Sequence, residues 1–305
     1  MLQSFISPEF FSAILRATTP ILFAALGASV AAKSGITNMA IEGIMLFAAL
    51  FGVIFTSITG NFIGGFLLTI VAGGLLGCLL AYLVLKLKTD EILAAIAINM
   101  LASGGTVLLM LAYSGDRGSS TSIVSYAAPR INIPLIENIP WLGEVISGQN
   151  LMTYLAIIAV IVMHLFLYKT PLGLKIRAVG ENKNAAESVG ISSQKVQFIA
   201  LIISGILAAL GGFFLSGGYM NMFTKEMQAG KGYIALSASA MGGHSPIGAM
   251  LVSFLFGLAQ ALGNVLQLTD IPHELIQMIP YLTTLFGLAF YSYRNKKKKE
   301  KLAAK

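Results

Sequence analysis

The sequence predicts an all-α protein that crosses a membrane many times. Three observations lead there. Only 11% of the 305 residues are charged while 56% are hydrophobic, whereas a water-soluble domain carries about 25% charged residues. The mean hydropathy is +0.81, and the apolar residues gather in runs close to the roughly 20 that a spanning helix needs. Most basic residues fall between those runs or at the C-terminal end. That placement orients a membrane protein; a nucleic-acid binder would carry a basic face.

The first apolar run covers residues 10–32. It ends in Ala28-Ser29-Val30-Ala31-Ala32, as a cleaved signal could, but nothing basic precedes Arg16. The run therefore reads as a retained span. Further spans are expected at 36–58, 62–85, 92–113, 151–168, 196–216, 246–268 and 275–293. These runs are too long and too continuous for alternating barrel strands. Gly73, Gly74, Gly77, Gly211 and Gly212 lie inside spans, where small residues let helices approach closely. Residues 114–150 contain Pro129, Pro134, Pro140 and Trp141 and predict an external segment with turns and an interfacial helix. A Gly-flanked piece, 232–243, is only about half a membrane thick as a helix.

Charge orients the spans. Lys33, Lys86, Lys88, Lys169, Lys175, Arg177, Lys183, Lys195 and the basic residues from Arg294 onward fall on one side if the spans alternate. They are fifteen of the twenty Lys and Arg residues. By the positive-inside rule that side is the cytoplasm, which puts the N-terminus outside and the C-terminus inside. The loop 217–231 then lies outside and the lysine tail inside, so an odd number of crossings separates them. Residues 232–243 must supply one, giving about nine crossings with one short or broken. The expected organisation is a single transmembrane domain over 1–293, containing a cytoplasmic loop at 169–195, and a basic tail at 294–305 that anchors topology and can touch anionic lipid.

Chemistry concentrates in three places. Within the loop, Pro171 and Gly173 are expected to end the incoming helix, Asn184 to cap a short helix, and Gly190 to stop it. The small Ala185 and Ala186 would let another surface approach that helix. In 35–46, Asn38 and Glu42 stand four apart, on one face if helical. Glu42 is the acid that fits neither a loop nor a span end. Intramembrane ionisable groups face cavities or polar partners, so Asn38, Glu42 and Asn99 are candidates for a translocation path, with a helix–helix tie by Glu42 as the alternative. The third place is the Gly-rich break from Ala229 to Gly248, where a capping or tying role is expected of His244.

Enzymatic readings find little support. His164, His244 and His273 are scattered, and Cys78 has no partner cysteine. Gly230-Lys231-Gly232 is the nearest approach to a phosphate-binding loop and lacks both the upstream Gly and the following Ser/Thr. No cofactor or ATPase site is expected in this chain.

The loop resembles the ATPase-coupling loop of ABC-importer permeases, whose pattern is Glu-Ala-Ala, three residues, then Gly. Asn184 replaces the Glu, while Ala185, Ala186 and Gly190 keep the spacing. The preceding Arg177-Ala178-Val179-Gly180-Glu181-Asn182 is similar to the ribose, branched-chain amino acid and nucleoside branch. Gly35-Ile36-Thr37-Asn38-Met39-Ala40-Ile41-Glu42-Gly43 and Ala240-Met241-Gly242-Gly243-His244-Ser245-Pro246-Ile247-Gly248 extend the likeness over almost the whole chain. It is greatest to the shorter of two permeases in bacterial nucleoside (guanosine) importers. That resemblance implies a multi-pass protein of the bacterial plasma membrane, working by ATP-driven alternating access. It also implies a second homologous permease, a cytoplasmic ABC ATPase and an external substrate-binding lipoprotein. Gly180, Glu181, Asn182, Asn184, Ala185, Ala186 and Gly190 become the coupling residues. A permease for ribose or another simple sugar is the alternative, and an ion-coupled secondary transporter a further one.

Overall fold

The computed structural model describes residues 7–134 and 141–267, with residues 278, 282–285, 287, 289 and 293 beyond them. In chain order the helices are α1 (Pro8–Lys33), α2 (Ile41–Thr59), α3 (Phe62–Ala81), α4 (Glu91–Ser114), α5 (Leu142–Ile146), α6 (Leu151–Lys169), α7 (Pro171–Glu181), α8 (Lys183–Ser188), α9 (Ser193–Phe214), α10 (Lys231–Met241) and α11 (Pro246–Leu266). A short antiparallel ribbon pairs β1 (Arg130–Ile131) with β2 (Gln149–Asn150). Among the described residues seven helices are long and apolar enough to cross a membrane: α1, α2, α3, α4, α6, α9 and α11. π-helical turns prolong α3 through Lys86 and α9 through Met220. Eleven of the 19 residues of the expected span 275–293 fall outside the described residues, and the tail 294–305 does so entirely.

Local chemistry sets the helix ends. Ser7 caps α1 ahead of Pro8, Asn61 caps α3, Asp90 caps α4, Asn150 caps α6 and Ser245 caps α11 ahead of Pro246. Each side-chain oxygen accepts a first-turn N–H that has no partner within its helix. One boundary differs from expectation: α2 begins at Ile41, five residues later than the apolar pattern suggests. Gly35, at φ +84°, terminates α1, and residues 34–40 form a turn before α2 starts. The expected interfacial helix in 114–150 is α5, whose Glu144 carbonyl accepts from Ser12 of α1.

Burial separates the helices into an inner and an outer set. In their most apolar stretches α1 and α2 are each 78% buried and α9 is 67% buried, against 28–39% for α3, α4, α6 and α11. The inner three are therefore packed by protein, and the outer four leave Leu67, Met100, Ile161 and Leu251 uncovered. Such apolar outer sides suit lipid, which cannot satisfy open backbone groups but solvates apolar side chains.

Without a hydrophobic driving force between helices in lipid, close van der Waals packing has to hold them. The expected glycines provide it where α3 crosses α9. A Cβ added at Gly205 would sit 2.5 Å from the Gly73 carbonyl oxygen and 2.8 Å from Gly77 Cα. At Gly212 it would lie 2.1 Å from the Met45 carbonyl oxygen of α2. Gly74 is the exception, with Ile206 no closer than 3.5 Å. Replacing Gly205 with Ala should force α3 off α9 and destabilise the bundle by about 1–3 kcal/mol. A lower thermal midpoint in detergent, with Gly74→Ala unaffected, is the expected result.

Candidate functional site

The half-length α10 is the centre of the polar architecture. Its 11 residues reach only about 16 Å, so the rest of any crossing must come from non-helical chain. The segment 221–230 supplies it. Near the end of α4, Phe223 N–H donates to Ser120 Oγ and Lys225 N–H to the Gly118 carbonyl. A few residues on, Glu226 accepts from Ser103 Oγ at 2.5 Å, and Ser103 lies about 18 Å along α4 from Glu91. The chain thus descends to the middle of the bundle before α10 begins.

Non-helical backbone at membrane depth must be satisfied internally or line a cavity. Here Met227, Ala229 and Lys231 N–H donate to the carbonyls of Thr224, Glu226 and Gln228 in successive turns. Left-handed backbone at Glu226 (φ 57°) and Ala229 (φ 45°) makes these turns possible. Such conformations cost of order 1–3 kcal/mol each and persist where their surroundings over-determine them.

Glu42 is that surrounding constraint. It lies in the first turn of α2, buried, and its two carboxylate oxygens accept from Gly230 N–H at 2.8 Å and Gly232 N–H at 2.6 Å. A carboxylate from one helix thus caps the N-terminus of another, where unpaired N–H groups and the helix dipole favour negative charge. Glycine permits the approach, since a Cβ at Gly232 would stand 2.6 Å from Glu42 Oε2 and 2.7 Å from its Cα. Asn99 of α4 extends the tie. Its Oδ1 accepts from Gly43 N–H at 2.8 Å, and its Nδ2 donates to the Met39 carbonyl and to Tyr233 Oη, both at 3.1 Å.

Asn38 is placed differently. It belongs to the turn before α2, so it shares no helical face with Glu42. Its Oδ1 accepts from Ala40 N–H and its Nδ2 donates to Ser204 Oγ of α9 at 2.9 Å. Glu42 and Asn99, but not Asn38, line a cleft of about 310 Å³, together with Ser103, Glu226, Gln228 and Tyr233. Gln228 is buried, and its Oε1 has no hydrogen-bond partner among the described residues. Glu226 and Gln228 were not legible as site residues, because the segment 217–231 reads as an external loop, and Ser103 of α4 became one only through its bond to Glu226. The available signal was the half-length of 232–243, which obliges the preceding chain to enter the membrane.

Towards the Lys33 end, His244 Nδ1 meets Ser239 Oγ at 3.0 Å, and Ser239 meets Ser29 Oγ of α1 at 2.9 Å. Burial, and then the nearby Lys33 ammonium, hold the imidazole below its usual range. Neutral His244 therefore ties the end of α10 to α1.

The loop after α6 forms two consecutive helices. Pro171 follows the end of α6 but opens α7, with Thr170 as its cap. Asn182, not Asn184, caps α8, accepting from Ala185 N–H at 3.0 Å. Asn184 is exposed one position inside the helix. Gly190, at φ +83°, ends the turn. Ala186 is buried against the protein's own core, while Glu181, Asn182, Asn184, Ala185, Val189 and Gly190 are exposed. The small-residue face is therefore split, with Ala185 outward and Ala186 inward. Gly180 anchors the loop beneath α1, where a Cβ would lie 2.2 Å from the Lys33 carbonyl oxygen.

A bundle of membrane-length helices around a broken half-helix and a polar cleft has the makings of a multi-pass transport protein. Residues 10–288 match the family described as branched-chain amino acid transport system permease components, and the chain belongs to that family. It is 33% identical to the nucleoside ABC transporter permease protein NupC of Lactococcus lactis subsp. cremoris, over 90% of this chain and 89% of that one. It is likewise 33% identical to the guanosine ABC transporter permease protein NupQ of Bacillus subtilis, over 88% and 87%. A putative glucose ABC transporter permease protein of Haloferax volcanii, TsgC13, is 29% identical over 92% and 90%.

Glu42→Gln should expose the capping role, since its amide NH2 would replace one carboxylate oxygen and confront the N–H of Gly230 or Gly232. Losing a hydrogen bond to a charged group costs about 1.5–3 kcal/mol. The expected result is a lower thermal midpoint in detergent together with loss of transport. Wild-type stability would show that the charge is not what holds α10.

Proposed function

We propose that this chain is a permease subunit of an ABC importer that moves nucleosides, guanosine among them, into a bacterial cell across its plasma membrane. The observation that carries the ABC assignment is the outward-facing pair α7–α8. It is held rigidly under α1 by Gly180 and closed by the left-handed Gly190, and it presents Glu181, Asn182, Asn184, Ala185 and Val189 to solvent. A short helix braced in this way can transmit a push from a cytoplasmic ATPase to the spans. The nucleoside assignment rests on the likeness to NupC and NupQ.

In this reading the membrane domain covers 1–293 with about nine crossings, the N-terminus outside and the tail 294–305 in the cytoplasm. Support comes from the neighbours that meet at one end of the bundle. Gln197 donates to the Ser34 carbonyl, Gln194 to the Leu85 carbonyl, and Gly180 packs on Lys33. The basic turns after α1 and α3 and the loop after α6 thus share one end, as the positive-inside rule requires. The chain works with a second homologous permease, an ABC ATPase that hydrolyses the ATP, and an external substrate-binding lipoprotein, and needs no cofactor of its own. Glu42 and Asn99 border the solute path at the start of α10, with Asn38 bracing the turn beside them. Transport proceeds by alternating access as ATP closes the ATPase pair.

A simple sugar is the second reading, favoured by the likeness to TsgC13. Uptake of guanosine and of glucose or ribose in cells lacking only this chain separates the two. Selective loss of guanosine uptake, restored by re-expression, is the expected outcome; loss of sugar uptake alone would move the substrate to sugars.

The two alanines provide the mechanistic test. Ala185→Trp should leave the protein at its normal membrane level while abolishing both uptake and transport-stimulated ATPase activity. Ala186→Trp should overpack the core, costing about 1–3 kcal/mol, and so lower the protein level as well. Intact coupling in Ala185→Trp would remove α8 as the contact.

A further inference from the structure

The first turn of α10 has a second polar side, away from the cleft. A chamber of about 110 Å³ is lined by Arg16 of α1, Phe214 and Tyr219 around the end of α9, Lys231 of α10, and Gln260 and Asn264 of α11. Apolar groups complete the wall, and among the described residues no carboxylate lines it, although the Glu42 carboxylate is an electrostatic neighbour of Lys231. Lys and Arg side chains can only donate hydrogen bonds, whereas Gln and Asn amides present two donors and a carbonyl acceptor each. Lys231 Nζ makes one bond, to the Gln228 carbonyl at 3.3 Å, and Arg16 Nε one, to the Ser12 carbonyl at 3.3 Å. Among the described residues, most of their donors remain available. Two cations within membrane-length architecture are costly unless they face a cavity or a partner.

Arg16 and Tyr219 also line a wider basin of about 600 Å³ at the end of the bundle where α1 begins, which reaches Arg130, Gln149 and Asn150. The basin and the chamber share these two residues as a common wall. The chamber thus adjoins the basin, beside the start of α10.

We propose that the chamber reads the base of the transported nucleoside, with Arg16 and Lys231 donating to the O6/N7 edge of guanine while the ribose stays in the basin. This rests on the nucleoside reading above. At about 110 Å³ the chamber is well below the roughly 300 Å³ lower limit of pockets that enclose a whole ligand. It suits one planar ring system. Guanine offers two adjacent acceptors, the edge that Arg and Lys grip, whereas adenine sets a donor beside N7. The two cations therefore favour guanine and leave adenine with one mismatched contact, whereas the Gln260 and Asn264 amides can donate or accept and suit either base. Tyr219, which is exposed, supplies aromatic surface for the ring, and stacking of this kind is tolerant of base identity. Discrimination therefore falls to the cations.

The test uses the complete importer in cells. Uptake of labelled guanosine is competed with unlabelled guanosine, adenosine and 7-deazaguanosine, in which N7 is replaced by C–H. Wild type should prefer guanosine over both analogues by about tenfold or more. Lys231→Met should bring the three close to equal, and Lys231→Arg should preserve the preference. Equal competition in wild type would overturn the assignment, as would an unchanged preference in Lys231→Met. The wild-type comparison decides even if Lys231→Met fails to accumulate. Absence of any nucleoside uptake by wild type would instead remove the nucleoside reading, and the chamber's assignment with it.

Discussion

The pairing of the Glu42 carboxylate with Gly230 and Gly232 is the constraint on which the rest of the polar architecture depends. A helix that starts in the middle of a membrane exposes its first N–H groups where water is absent, and each unsatisfied group costs several kcal/mol in hydrocarbon. One buried carboxylate answers two of them at once and complements the dipole. In return, the two amides make a buried acid tolerable in α2. Neither partner would be stable at that depth alone, so each explains the other.

From that tie the neighbouring features follow. Gly232 has to be Gly because the Glu42 backbone and carboxylate lie where its side chain would be. Asn99 binds both Gly43 N–H and Tyr233, which joins α4 to the same junction. The descending turns at 224–231 keep their left-handed residues because Ser103 fixes Glu226 below and Ser120 fixes Phe223 above. Cleft and chamber then lie on opposite sides of one short helix turn. A movement of α10 would alter both together, which is the behaviour needed to open a path first to one side and then to the other.

The route from the loop to this junction is short. Gly180 packs against Lys33 at the end of α1, and the turn that follows is bonded to α9 through Ser34 and Asn38 before entering α2 at Glu42. Close contacts connect α7, which leads into the exposed α8, to the capped end of α10 through one turn of chain. In this arrangement the buried Ala186 matters as packing and the exposed Ala185 as surface, although the two are adjacent in sequence. A six-residue helix can face both ways because successive residues on it point about 100° apart.

The sequence by itself determined the membrane class, the approximate span positions, the helix-packing glycines and the loop that carries the family likeness. Each of these is encoded locally, in runs of apolar residues, charge between the runs, and motifs read from neighbouring letters. It also singled out Glu42 and Asn99 as unusual, because a polar group at membrane depth stands out against an apolar run. Only the tertiary structure decided what Glu42 touches, that α2 starts at Ile41, that Asn182 rather than Asn184 caps α8, and that Ser103, Glu226 and Gln228 share the cleft. Glu42 and its amides are 188 and 190 positions apart in the chain. Local patterns carry no record of such a separation, since it is fixed by how the helices pack rather than by their own periodicity.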